Sequence, residues 1–142
     1  MSDWWQWSPI KANQKLGFAV VGIGRFGSAV CRELLRNGAD VLAVDFSEKA
    51  IEELRQLEPT IEARVVDSTD EESMKEAGVL EMGTVVVGIS EPIEASITTT
   101  LIAKDTEGSL VKQVIARATS DLHEKMLKRV GADRVVFPSR MQ

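Results

Sequence analysis

Along this chain, short β-rich apolar runs alternate with longer segments in which apolar residues return every three or four positions. The runs predict strands at approximately 18–22, 41–45, 62–66, 84–89, 113–116 and 134–137, and the longer segments predict helices at 25–37, 48–57, 71–77, 93–106 and 120–130. Val85, Val86 and Val87 follow one another without alternation, the mark of a strand covered on both faces. Gly38, Gly78 and Gly131 stand where left-handed caps would end helices, and Ser47, Asp70 and Ser120 are candidate N-caps. In the last helix Leu122, Met126 and Val130 form one apolar stripe. Strands joined in turn by helical crossovers give an α/β fold. We expect a Rossmann-type doubly wound, six-stranded parallel sheet in the order 3-2-1-4-5-6, with helices on both faces and ligand at the carboxyl ends, where the order reverses.

The first strand runs into GIGRFG, so Gly22, Gly24 and Gly27 form GxGxxG between a strand and an amphipathic helix. Gly22 permits a tight turn, Gly24 lets the backbone approach a phosphate, and Gly27 lets the helix lie against the strand. A phosphate there would face free amides at a helix N-terminus. The second strand ends in Asp45, 21 positions after Gly24, the spacing of the carboxylate that takes a ribose diol. A carboxylate at that place repels the additional phosphate of NADP, which leaves NAD or NADH on one side and ATP or ADP on the other. The turn Asp67-Ser68-Thr69 offers an acceptor and hydroxyls for an adenine amino group, and it also suits a helix cap. Arg25 lies inside the glycine motif and Arg117 follows the fifth strand, so either can supply positive charge for terminal phosphates.

With 142 residues there is room for a single core, and a net charge of −5 disfavours nonspecific binding to nucleic acid or anionic lipid. No apolar run approaches the length that spans a bilayer, so no direct membrane insertion is expected. The single cysteine, Cys31, reads as a packing residue in the first helix, which suits a reducing cytoplasm. Catalytic equipment is thin: there is no tyrosine, and the one histidine, His123, is expected to be solvated on a polar part of the last helix. No zinc-type cluster of histidine and cysteine is present. Residues 1–15, which hold Trp4, Trp5 and Trp7, read as a flexible arm, with partner docking as the alternative.

The segments FAVVGIGRFGSAV, VLAVDFSEKAIEEL, DSTDEESMKEAGV, VVVGISEPIEASITTTLIAK and HEKMLKRVGADRVVFP resemble the RCK N-terminal (TrkA-N) domain, the cytosolic regulatory module of Ktr and Trk potassium-uptake systems and related potassium channels. The resemblance runs from Leu16 to Pro138 and excludes the arm. It implies a nucleotide-binding domain over 16–138, with 139–142 a tail at the start of a linker to a C-terminal lobe. It implies a cytoplasmic, nonenzymatic sensor that lies at the inner face of the membrane through its partner, binds ATP or ADP, or NAD or NADH, and gates a membrane-embedded potassium channel or transporter. It also implies self-association into dimers and rings of dimers through the last helix and strand. Carried onto this chain, Gly22, Ile23, Gly24, Phe26 and Gly27 belong to the phosphate loop, and Asp45 and Phe46 to the ribose edge. Asp67 and Ser68 would border the adenine, Ser90 and Glu91 would lie on the turn after the fourth strand, and Arg25 and Arg117 would approach terminal phosphates. Ser139 stands where relatives carry a glutamate linked to divalent cations, so no metal site is expected. The alternative function is the NAD-binding domain of an oxidoreductase or a stand-alone NADH redox sensor.

Overall fold

The computed structural model describes residues 17–140; the tryptophan-containing arm lies outside the described residues. Six strands form one parallel sheet: β1 (Phe18–Val21), β2 (Val41–Asp45), β3 (Glu62–Val65), β4 (Thr84–Val87), β5 (Gln113–Arg117) and β6 (Arg134–Val136). Their order is β3-β2-β1-β4-β5-β6, as the alternation of elements predicts. Phe18 is paired with Val41 on one side and Thr84 on the other, so β1 lies at the centre and its chain reverses sheet direction between β3 and β4. The five helices are α1 (Arg25–Arg36), α2 (Glu48–Leu57), α3 (Glu71–Ala77), α4 (Ile93–Asp105) and α5 (Asp121–Arg129). Val79–Glu81 and Pro138–Arg140 form short 3-10 turns that apolar spacing does not announce.

Alternate residues of the central strands feed two cores. Phe18 and Val20 pack with Val30, Cys31 and Leu34 of α1 and with Ile51 and Leu54 of α2. Ala19 and Val21 face the opposite way, toward Met74 of α3, Ala103 of α4 and Leu127 of α5. A strand so enclosed has no solvent side to require polar residues, which is why β1 and β4 read as continuous apolar runs. Cys31 is fully buried in the first core, and burial pushes its thiol up to about 12, so it packs as a small hydrophobe. The expected caps form. Ser47, Asp70 and Ser120 accept from the amides of Ala50, Ser73 and His123, and Gly78 closes α3 at φ +88°.

Helix α5 departs from expectation. Leu122 is 66% and Met126 39% exposed, while Leu127 and His123 are fully buried. The helix carries two apolar stripes, and tertiary packing selects the one with the imidazole because partners for both ring nitrogens stand on neighbouring segments. Helix α4 is similarly inverted. Its inner positions are Ser96, Thr99, Thr100 and Ala103, and the outward Leu101 is 43% exposed.

At the end of β1, Gly22 turns the chain at φ +94°. A β-carbon on Gly27 would stand 1.9 Å from the carbonyl oxygen of Gly22. Relief would require α1 to move off the sheet, so Gly27→Ala is expected to cost about 3 kcal/mol or more. In thermal unfolding followed by circular dichroism this corresponds to a fall in Tm of at least about 8 °C.

Candidate functional site

A crevice of about 510 Å³ opens at the carboxyl ends of β1, β2, β3 and β4. It is lined by Val21, Gly22, Gly24, Asp45, Phe46, Asp67, Ser68, Thr69, Gly88, Ile89, Ser90, Glu91, Pro92 and Ala95. Parallel strands end there together and their connections diverge to opposite faces, which leaves a gap that no crossover fills. The structure therefore brings Gly22, Gly24, Asp45, Phe46, Asp67, Ser68, Ser90 and Glu91 to one place. Ile23, Phe26 and Gly27 are buried behind the loop, and Arg25 is exposed at its shoulder; none of the four lines the crevice.

The crevice brings together an uncapped helix start and several carboxylates. At the loop, Gly24 is the N-cap of α1, with no side chain capping the helix and no acidic residue in its first turn. A β-carbon on Gly24 would meet nothing within 4 Å, so the space over these amides is open. Positive partial charge at a helix start, with unfilled space above it, suits an anion. The carboxylates of Asp45, Asp67 and Glu91 also line the crevice, Asp45 and Asp67 after β2 and β3 on one side of this loop and Glu91 after β4 on the other. The Asp45 carboxylate is held by two backbone amides, Ile23 N–H donating to Oδ2 at 2.5 Å and Ser47 N–H donating to Oδ1 at 2.7 Å. Each oxygen keeps a further lone pair, so the group is oriented as an acceptor for hydroxyls.

Asp67 Oδ1 accepts from the Thr69 hydroxyl at 2.6 Å and from the Thr69 amide at 2.9 Å. The hydroxyl first and then the amide hold its carboxyl below the usual value, so it remains an ionised acceptor. Ser68 is turned inward: its hydroxyl shares a 2.6 Å hydrogen bond with Thr99 of α4. Phe46 is 77% exposed at the lip, a large apolar surface that a ligand's flat ring would cover.

Arg117 does not line the crevice. It is half-buried with its guanidinium carbon 5.5 Å from the centre of the Phe26 ring, and its Nε is buried without a hydrogen-bond partner. Burial lowers its pKa. Through Phe26 it braces the first turn of α1 from behind.

Gly88 is a contributor that motif reading missed. A β-carbon there would lie 2.9 Å from the carbonyl oxygen of Gly22, so the β4 turn and the β1 turn interlock. Its signal in the sequence is a glycine directly after the Val85–Val87 run, in register with Gly22 at the end of the neighbouring strand. Pro92 and Ala95, at the start of α4, complete the wall. Among the described residues no helix is long and apolar enough to cross a membrane, and no group of three or more histidine, cysteine, aspartate or glutamate residues is placed to hold a metal ion.

Comparison with known proteins agrees with this fold. The model of the TrkA-N domain matches residues 18–138. Ktr system potassium uptake protein C of Bacillus subtilis is 40% identical over 126 residues, which are 89% of this chain and 55% of that protein. The chain spans about half the length of the curated relatives it matches first. The TrkA-N domain of the inner membrane protein YbaL from Escherichia coli superposes with a TM-score of 0.75 at 25% identity, covering 88% of this chain and 89% of that one. The GsuK channel bound to NAD shares the fold, with a TM-score of 0.71 at 18% identity over 84% of this chain and 21% of that one.

The open space over Gly24 yields a contrast with Gly27. Gly24→Ala is expected to keep Tm within about 5 °C, since an N-cap alanine costs about 1 kcal/mol at most beyond glycine. Thermal unfolding of the two variants side by side checks the difference.

Proposed function

The chain belongs to the TrkA-N domain family, and we propose that it is the nucleotide-sensing part of a regulatory protein for potassium transport. The single observation that carries this reading is the pairing, in one crevice, of uncapped amides over open space at the start of α1 with an amide-held Asp45 at the end of the neighbouring strand. An adenine nucleotide matches both features at once: its phosphates lie over Gly22, Gly24 and the start of α1, and its ribose diol donates to Asp45. Phe46 and Asp67 then border the adenine, with Ser90 and Glu91 on the facing turn. The potassium-uptake relatives supply the context in which such binding would act, through a membrane-embedded partner at the inner face of the membrane.

Between ligands, we favour ATP or ADP over NAD or NADH. Exposed Arg25 stands beside the phosphate loop, and a terminal phosphate adds charge that a pyrophosphate bridge lacks. Placed at the shoulder of the loop, Arg25 reaches outward, so a terminal phosphate it contacts can be one held by this subunit or by a neighbouring one. The exposed Leu122 and Met126 of α5 suit self-association of this kind. A ligand that contacts two arrangements of a dimer unequally shifts their balance, and a pore attached to them follows. We read the domain as a binding module. Its one histidine has both ring nitrogens engaged inside the fold and offers no free base to a substrate.

Calorimetric titration with ATP, ADP, NAD and NADH tests the choice. Binding of ATP or ADP at least about tenfold tighter than NADH is expected, and the reverse order would sink the assignment. Asp45→Ala is expected to weaken all four ligands by about tenfold, the loss of a charge-assisted hydrogen-bond pair. Arg25→Ala should weaken ATP more than ADP; equal losses would remove its proposed terminal-phosphate role.

A further inference from the structure

Helix α4 meets the rest of the domain through hydroxyls where apolar side chains are the ordinary choice. Ser96, Thr99 and Thr100 are each fully buried on its inner face, and each is satisfied. Thr99 joins Ser68 at 2.6 Å, Thr100 donates to the Ser96 carbonyl at 3.0 Å, and Ser96 Oγ lies 2.9 Å from His123 Nε2. On the other side of the imidazole, the Thr119 amide donates to Nδ1 at 3.1 Å. A backbone amide can only donate, so Nδ1 carries a lone pair and the neutral ring holds its proton on Nε2, which donates to Ser96. The ring thus ties the turn before α5 to the first turns of α4. Those turns carry Pro92 and Ala95 into the crevice wall, and one helical turn further on Thr99 grips the Asp67-Ser68-Thr69 turn.

We propose that His123 is a positioning residue for the nucleotide crevice: as a neutral imidazole it holds α4 through Ser96, sets the wall at Pro92 and Ala95, and releases that wall when protonated. The inference rests on the crevice being the nucleotide site. Protonation would place a second N–H against the Thr119 amide, so the bond that fixes the ring is lost on the acid side. The charge that reaches the ring is Arg117 at the end of β5; α4 meets it with Ser96, Asp121 on its own helix is paired with Arg140, and Glu124 with Lys128. Burial first, and Arg117 second, lower the histidine below its ordinary value of 6.5. A depressed value means that the fold favours the neutral form, so the contribution is complete above about pH 6.5 and falls away as pH drops from there toward the folded value.

Three measurements on the nucleotide-free protein test this device whether or not a nucleotide binds. Long-range proton–nitrogen NMR should find the Nε2–H tautomer, and an Nδ1–H ring would overturn the geometry. Hydrogen exchange in Ser96→Ala should quicken about fivefold at 93–99 and at 67–69, the equivalent of one lost hydrogen bond; quickening confined to α5, or none, would overturn the proposal. Lowering the pH to 5.5 should likewise reduce protection of these segments in the parent protein, after correction for intrinsic exchange, and His123→Asn should remove that dependence while keeping the fold. Persistence of the dependence in His123→Asn would assign it to another group and overturn the proposal. Where ATP or ADP binds, its affinity should fall with the same pH profile; failure of every nucleotide to bind would count against the functional reading and leave the exchange result to decide the role of His123.

Discussion

The carbonyl oxygen of Gly22 occupies a place where the β-carbons of two other residues would otherwise be. It lies 1.9 Å from the position a side chain on Gly27 would take and 2.9 Å from that on Gly88. Three segments therefore converge on one oxygen atom: the end of β1, the first turn of α1 and the end of β4. Their convergence sets how closely α1 approaches the sheet, and so where its free amides stand relative to Asp45 and the β4 turn. Every other property of the crevice is built on that spacing. Ile23 N–H reaches Asp45 only because the chain leaves β1 through this turn, and Phe26 braces against Arg117 only because the helix starts there.

Around this point the crevice sets carboxylates beside a helix start that has none. Carboxylates collect at the ends of β2 and β3 and on the β4 turn, while the start of α1 has no acidic residue. A uniformly negative cleft would repel a nucleotide, and a uniformly positive one would hold any polyanion. The combination instead favours a ligand that carries hydroxyl or amino donors as well as phosphates. Asp45 presents acceptors alone to the crevice, because its two amide bonds fix both oxygens.

Much of this was legible before any coordinates. The strand order follows from alternating elements and handed crossovers, and the caps at Ser47, Asp70, Gly78 and Ser120 follow from local chemistry that tertiary packing rarely overrides. The glycine motif was legible because its demand is local, and Asp45 because a single helical crossover fixes its spacing from Gly24. What escaped reading depends on pairing across long separations. Gly88 matters through an atom far back in the chain. His123 looked solvated because nothing within α5 itself explains a buried imidazole; Ser96, 27 residues earlier, does. The inner face of α4 was equally opaque, since hydroxyls become acceptable core residues only when partners such as Ser68 and His123 arrive from other elements.

That hydroxyl-lined seam also bears on how a sensor can work. Apolar side chains between α4 and the sheet would hold the helix through many interchangeable contacts that tolerate small shifts and have no preferred register. Hydrogen bonds at Ser96 and Thr99 hold it in one register and fail abruptly when a partner moves, because a buried hydroxyl without a partner is costly. A domain that passes ligand state to a partner needs this kind of abruptness, with two arrangements close in energy and little between them. The seam runs from Ser68 under the crevice to His123, and His123 adjoins Leu122 on the exposed stripe of α5. A ligand in the crevice and a partner packed on Leu122 would thus bear on the same short chain of hydrogen bonds.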